Sequence, residues 1–480
     1  MLFPPYAGRR CALAAVLALA PAVHAQSSST RPSDTLRLSL GDAVSLAMRQ
    51  SDEVGIAAAQ ADVAEALYGS ARANLLPQLR LNTTYTHVYQ SARGQAVGSV
   101  FNQPNTYTGN LNLAQTLFQG GRLVSATRAA DAARDAAHFD EREQRSLMTL
   151  QVARSYLQVL FTDRIAELQA ENLSLASSRL AQVEQFERAG RAARYDVLRS
   201  RVERANIEPL AIQARNDREL AVLDLKRLLN VPVDQPIALV TKIDSASTAM
   251  LVAASADSNA VPDRASVHSA ELNAASKRLG ISVARADFYP AISVFLQSGY
   301  QAFPGIGQGF PSSSGDLTFE ACPVGTAVGK VCQNGGWFSD RQAGVNISMP
   351  IFDGFRVRSN VDLAQAQARL ADLQLRQQRE AVSVDVARAR AELRRAGAVF
   401  AARQQNSQEA TEAFQLATLR FSRGLSTQLE VSDAQVALLT AQSTEARATY
   451  DLFLASADLA RSLGRNIPLP SSALAPAATR

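Results

Sequence analysis

Leu111-Asn-Leu-Ala-Gln-Thr-Leu-Phe-Gln-Gly-Gly-Arg122 returns 234 positions later as Val345-Asn-Ile-Ser-Met-Pro-Ile-Phe-Asp-Gly-Phe-Arg356. The same offset carries Gly190 to Gly424, Asp196 to Glu430, Val197 to Val431 and Leu229 to Leu463. A constant offset over so long a span means no net insertion between those points, and self-similarity of this kind decides architecture before local propensity does. Upstream, Ala71-Arg-Ala-Asn-Leu-Leu-Pro77 resembles Ala284-Arg-Ala-Asp-Phe-Tyr-Pro290 at an offset of 213. The second copy therefore carries 21 extra residues between Pro290 and Val345. Length confined to one place reads as a surface loop, where it costs little.

Within each copy the hydrophobic period switches. Leu79, Leu81, Thr83, Tyr85 and Tyr89 alternate with Arg80, Asn82, Thr84 and Thr86, and from Tyr107 to Leu117 the larger apolar residues fall on odd positions. The second copy alternates through Ile292, Val294, Leu296 and Tyr300, then through Val345, Ile347, Met349 and Ile351. Period two marks strands with one apolar face. Such strands suit a soluble sandwich or a membrane barrel. A length of about 10 residues, with Tyr near the ends, favours the barrel, because about 9 to 11 tilted residues cross a bilayer. Four strands do not close a barrel, which starts at about eight, so several chains are expected to share one.

The rest reads as helix of unusual length. No Pro or Gly occurs between Arg122 and Arg188; Arg356 to Arg423 has no Pro and the single Gly397. Such a run of some 67 residues spans about 100 Å at about 1.5 Å per residue. Gly190 and Gly424 end these helices, and second helices follow at about Ala193 to Asn230 and Thr427 to Gly464. Shorter helices, Asp52 to Leu76 and Ala265 to Tyr289, precede the strand pairs. Each copy's two shorter helices together match one long helix, so they are expected to stack end to end beside it.

Composition agrees. The chain has 480 residues, 47% apolar and 6% aromatic, with 85 Ala and 45 Arg against 4 Lys. Abundant Ala suits long helices packed closely. No apolar run outside the N-terminus is long enough for a membrane helix. A net charge of +5 gives no footprint for nucleic acid. Arg9 and Arg10, the apolar stretch Cys11 to Ala22 and the small residues up to Ala25 form a signal peptide, with cleavage expected after Ala25. Export leaves Cys322 and Cys332, which form a disulfide or remain two thiols. The expected organisation is signal peptide 1–25, first repeat 36–230, irregular belt 231–262, second repeat 263–470 and a disordered tail 471–480.

The duplicated set, with Phe186-x-x-x-Gly190 ahead of Asp196-Val197, resembles the TolC-like outer-membrane efflux proteins over about residues 36 to 470. The resemblance implies a mainly α chain with a small membrane β-barrel, assembled as a homotrimer with a twelve-stranded barrel in outer-membrane lipid and a periplasmic tunnel of twelve helices. It implies an exit duct for drugs or other small molecules, or for type I protein secretion, docked through a periplasmic adaptor to an inner-membrane pump. Adaptor contact falls at the helical tips, here Gly190, Arg191 and Asp196, and Gly424, Leu425 and Glu430. The chain departs from the family pattern at Arg191, where Leu is favoured, and at Glu430, where Asp is.

Near those tips stand Glu184, Glu187, Glu409 and Glu412 with Arg188, Arg191, Arg194, Arg420 and Arg423. Repeated around an axis they form charged rings that hold an entrance shut, or else a solvated coiled-coil face. A conduit needs no catalytic residue, cofactor or metal. His24, His87, His138 and His268 show no metal-ligand spacing. Gly305-Ile-Gly-Gln-Gly309 lies in a strand connection and opens no helix, so it cradles no phosphate. The competing non-enzymatic reading is a structural coiled-coil protein of the envelope, which has no need of apolar-faced strands in both copies.

Overall fold

The computed structural model describes residues 35–90, 92–97, 105–241, 262–302 and 337–467. Its first half runs β1 (Leu36–Leu38), α1 (Leu40–Gln50), α2 (Asp52–Ala73), β2 (Gln78–His87), the short α3 (Ala92–Val97), β3 (Asn105–Gln119), α4 (Arg122–Arg188) and α5 (Arg194–Leu229). Beyond β4 (Ile237–Leu239) come α6 (Ala265–Arg285), β5 (Ala291–Ala302), β6 (Trp337–Ser348), α7 (Arg356–Ser422) and α8 (Gln428–Ser462). The signal segment, the tail, and Cys322 and Cys332 lie outside the described residues.

Helices α4 and α7 each have 67 residues. Along α7 the buried positions Val357, Val361, Ala368, Ala371, Leu375, Val382 and Val386 are three, four or seven apart, which is the spacing of a coiled-coil seam. The seam is made of Val, Ala and a single Leu, so each turn buries little area. Stability therefore comes from length more than from any one contact.

The shorter helices lie antiparallel to the long ones. On α5, Arg201, Glu203 and Arg218 pair with Glu184, Arg179 and Asp163 of α4 at 3.2, 3.6 and 2.6 Å, the numbers running in opposite directions. Likewise Leu452 and Ala455 of α8 pack on Ala396 of α7, while Leu459 and Leu463 pack on Val382 and Val386. Helix α6 bridges the long helices: Ser276 Oγ donates to the Ala129 carbonyl at 2.8 Å, and Gln378 Nε2 donates to Ser266 Oγ at 3.0 Å. Helix α5 continues through Pro209, whose missing N–H falls on an exposed side where water reaches the freed carbonyl.

End-to-end stacking is held differently in the two halves. In the first, Asn230 Nδ2 donates to the Gln50 carbonyl at 3.2 Å, joining the end of α5 to the end of α1. Met148, Val152 and Tyr156 of α4 are enclosed there by Leu38, Leu40, Ala47, Leu225 and Leu229. The fully buried Tyr156 donates its hydroxyl to the Leu38 carbonyl at 2.9 Å and accepts from the Thr241 amide at 3.3 Å. In the second half the Asp263 amide donates to the Leu463 carbonyl at 3.2 Å, and the join is ionic. Arg264 reaches Glu143 at 2.8 Å and Asp385 at 3.0 Å, and Arg461 reaches Glu143 at 3.5 Å, so α4, α6, α7 and α8 meet at one point.

Three sequence expectations change. The segment read as an irregular belt contributes β4, which pairs in parallel with β1. Helix α1 precedes the helix expected from Asp52; its start is a capping box in which the Asp42 amide donates to Ser39 Oγ at 3.1 Å and the Ser39 amide donates to Asp42 Oδ2 at 3.2 Å. Strand β6 begins at Trp337 and ends before Met349, because Pro350 has no N–H to continue the ladder.

Candidate functional site: an apolar sheet face and two helical tips

Strands β2, β3, β5 and β6 form one antiparallel sheet in that order. Directly opposed residues share a face, so register turns alternation into surfaces. One face carries the rows Leu79, Leu113, Leu296, Ala343 and Leu81, Leu111, Ser298, Arg341, then Tyr300 and the stacked pair Tyr85 and Tyr107, whose ring centroids are 4.7 Å apart. The opposite face is polar, with Arg80, Asn112, Gln297 and Gln342 in one row. Leu79, Leu81, Val345 and Ile347 are each more than 60% exposed within one chain. An apolar exterior backed by a polar interior is the pattern of a water-filled barrel wall. The alternation breaks once, at a register shift between Thr116 and Phe118 that sets Leu117 out of step.

The repeated motif makes the turn from sheet to helix. Gly120 and Gly121, and in the second copy Gly354 and Phe355, all have positive φ, and two successive left-handed residues redirect the chain into α4 or α7. Arg122 of the same motif pairs with Asp287, fixing the base of the sheet to the end of α6.

At the far end of the long helices, Gly190 (φ 68°) and Gly424 (φ 72°) reverse the chain. The Gly190 and Arg191 amides donate to the Glu187 and Phe186 carbonyls at 2.8 and 2.7 Å, and the Gly424 and Leu425 amides to those of Phe421 and Arg420 at 2.9 and 2.8 Å. Left-handed closure thus satisfies carbonyls that a helix end leaves open. Asp196 accepts from the Ala193 amide at 3.2 Å, and Glu430 stands in the same place, accepting from the Thr427 amide at 3.5 Å. The departure at Glu430 thus keeps the capping role. The departure at Arg191 lays a guanidinium 5.3 Å from the centre of the Phe186 ring, covering an aromatic face at the tip. Leu425 is 67% exposed. The two tips are tied together by Gln428 Nε2, which donates to Ser200 Oγ at 3.0 Å, and by Ser432 Oγ, which donates to Glu203 at 2.6 Å.

The acidic and basic residues singled out near the tips do not pair with one another inside one chain, among the described residues. Glu184 meets Arg201, a partner that spacing did not suggest. Glu409 accepts from Gln405 Nε2 at 2.9 Å on its own helix, and Arg420 donates weakly to the Leu425 carbonyl at 3.5 Å. Glu187, Glu412, Arg188, Arg194 and Arg423 have no ion pair among the described residues. The ionic cluster of Glu143, Arg264, Asp385 and Arg461 was not visible beforehand, because its members are scattered over four helices. Burial alone lowers the Arg264 pKa, but hydrogen bonds and charge from Glu143 and Asp385 outweigh it and raise the net value. Burial also raises the Asp458 carboxyl above the usual range, against the pull of Arg154 and Arg461.

Among the described residues no helix is long and apolar enough to cross a membrane, and no group of His, Cys, Asp and Glu has the geometry of a metal site.

Comparison with known proteins agrees with this geometry. The chain is 25% identical over 446 residues to the pyoverdine export outer membrane protein OpmQ of Pseudomonas putida, covering 88% of this chain and 85% of that protein. It is 24% identical over 404 residues to nodulation protein T of Rhizobium leguminosarum bv. trifolii, covering 84% and 80%. Its fold matches that of the outer membrane protein VceC of Vibrio cholerae with a TM-score of 0.70 at 20% identity, over 89% and 97% of the two chains. It also matches the open state of the MtrE outer membrane channel of Neisseria gonorrhoeae, with a TM-score of 0.65 at 22% identity over 89% of each chain. The outer membrane efflux protein model matches residues 43–231 and 258–465, one segment for each repeat. The chain belongs to the outer membrane efflux protein family: it is an exit duct for efflux, set in the outer membrane by its sheet, with its long helices in the periplasm.

Proposed function

We propose that three copies share one twelve-stranded barrel and continue it as a twelve-helix tunnel, through which small molecules delivered by an inner-membrane pump leave the cell. The observation that carries this is the four-stranded sheet in which β2 and β6 each pair on one side only, among the described residues. Two open edges on a sheet with an apolar exterior call for the same sheet again, and closure is the way a membrane sheet satisfies its edges. Apolar residues left exposed along α2 and α5 (Val63, Leu67, Val202, Leu220) and along α7 (Leu363, Leu370, Leu373, Leu416) support contact between neighbouring copies at helical level as well.

The tips around Gly190, Arg191 and Asp196, and around Gly424, Leu425 and Glu430, are the proposed docking points for a periplasmic adaptor. The charges Glu184, Glu187, Glu409, Glu412 and Arg420 close the tunnel entrance through pairs made between copies. Cys322 and Cys332 are proposed to be bonded, which thiol labelling of the oxidised and reduced protein checks. Small-molecule cargo is supported by the export role that the name of OpmQ states for that relative.

Extraction from outer membranes only by detergent, at a mass of three chains, is the expected result; recovery as a soluble monomer overturns the assembly. For cargo, the gene is deleted and growth measured in antibiotics, bile salts and metals. Sensitivity to small toxic solutes that the restored gene reverses is expected, and loss of a secreted protein without such sensitivity overturns the assignment.

A further inference from the structure

The helices join the sheet at Gln78, Gln119, Ala291 and Ser348, so the opposite strand ends, at His87, Asn105, Ala302 and Trp337, face the cell exterior. Arg341 lies four residues below Trp337 on β6. It is in register with Ser298, which puts it on the same outward face as Tyr300, Ala343 and Val345. The residue is exposed, and it has no ion pair among the described residues. A guanidinium facing hydrocarbon is costly near the middle of a bilayer, and the cost falls steeply toward the interface. Two residues of a strand cover about 7 Å, so the flexible side chain brings its charge up to the level of Tyr300. Ser298 and Ser339 on that face add hydroxyl donors beside it. Strand β2, the edge that meets β6 in the proposed barrel, contains no Asp or Glu to pair with it.

We propose that Arg341 binds a phosphate of the phosphorylated glycolipid of the outer leaflet, which makes this position on β6 a lipid headgroup site. The proposal rests on the reading of the sheet as a membrane wall. A phosphate suits the site because guanidinium and phosphate pair through two parallel hydrogen bonds, and because the pair lies where headgroup and acyl chain meet.

The test uses Trp337, the only tryptophan of the chain. Full-length protein is reconstituted in phosphatidylcholine vesicles with rising fractions of bis-phosphorylated lipid A, and Trp337 emission is recorded. A saturable change is expected, with the half-saturating fraction raised about tenfold in Arg341→Gln and less in Arg341→Lys, as loss of one bidentate contact implies. Lipid A stripped of phosphate and inorganic phosphate in the buffer are both expected to leave the emission unchanged. An identical titration in Arg341→Gln overturns the proposal, as does an equal response to phosphate-free lipid A or to inorganic phosphate alone. Failure of the protein to insert into phosphatidylcholine vesicles counts instead against the membrane wall, so the two failures are distinguishable.

Discussion

Arg264, at the N-terminal cap of α6, donates to Glu143 on α4 across 2.8 Å, and both side chains are largely buried, at 10% and 14% exposure. Breaking one partner of such a pair leaves a charge in a medium that solvates it poorly. Arg264→Ala is expected to cost about 3 kcal/mol, the low end for a buried pair because Arg461 remains beside Glu143. Arg264→Met with Glu143→Leu is expected to cost less than the two single changes together. Guanidinium titrations followed by helical circular dichroism decide; full additivity removes the pair from the account.

Asp458 gives a pH dependence of known sign. Its pKa is raised by burial, so the folded protein holds a proton that the unfolded chain has released, and stability falls as pH rises from the ordinary carboxylate range through the raised value. Asp458→Asn is expected to flatten that segment of the profile. Melting temperatures between pH 3 and pH 8, the span in which carboxylates titrate, check it; an unchanged profile assigns the slope to other groups.

Gly424 and Gly464 both have positive φ, but their surroundings differ. A Cβ at Gly424 meets nothing within 4 Å, whereas one at Gly464 falls 2.0 Å from the Asp263 carbonyl. Gly424→Ala is expected to cost about 1 to 2 kcal/mol of backbone strain and leave assembly intact. Gly464→Ala is expected to break the join between α8 and α6 and reduce the yield of assembled protein. With Gly424→Phe, trimers form normally but adaptor co-purification is lost; retained adaptor and intact efflux in that variant remove the tip from the docking surface.

Phe355 holds a left-handed backbone (φ 66°), although its repeat counterpart is Gly121. Its side chain is 66% exposed and meets the Phe352 ring edge to face, with centroids 5.8 Å apart, so little packing offsets the strain. Phe355→Gly is expected to stabilise the fold by about 0.5 to 1 kcal/mol, the left-handed penalty less the entropy of an added glycine. Thermal melting is the measurement, and a lower midpoint shows that packing of the ring, against Phe352 or a neighbouring copy, outweighs the strain.

Among the described residues Glu412 makes no ion pair, and Glu409 and Arg420 each make a single exposed hydrogen bond on their own chain, so the proposed effect of these charges on closure belongs to the assembled duct. Glu409→Ala, Glu412→Ala and Arg420→Ala are expected to raise single-channel conductance while leaving the melting temperature of the monomer unchanged. Unaltered conductance in all three makes these residues a solvated face.

The long helices and the strand faces were legible because each repeats a simple period over many residues, and the duplication printed the signal twice. The constant offset fixed the positions of Gly190 and Gly424 for the same reason. Short elements escaped: β1 and β4 have three residues each and bring together distant segments that both hydrogen-bond Tyr156 at their ends. The Arg264 cluster escaped because charge at one residue does not indicate a partner 121 positions away. Arg341 lies upstream of Val345, where the clear alternation starts, so period alone does not place it in β6 (Trp337–Ser348).

The edges of β2 and β6, which pair with no other strand among the described residues, also constrain the order of biogenesis. A solitary chain released into the periplasm has two lines of unsatisfied amides and carbonyls on a sheet whose apolar side has no lipid to meet, a template for indiscriminate aggregation. Its helices can form alone, since they close their own hydrogen bonds. The wall cannot. In the proposed three-copy barrel, maturation of this part of the molecule is second or third order in chain concentration, and a cell that makes too little of the protein loses the duct disproportionately.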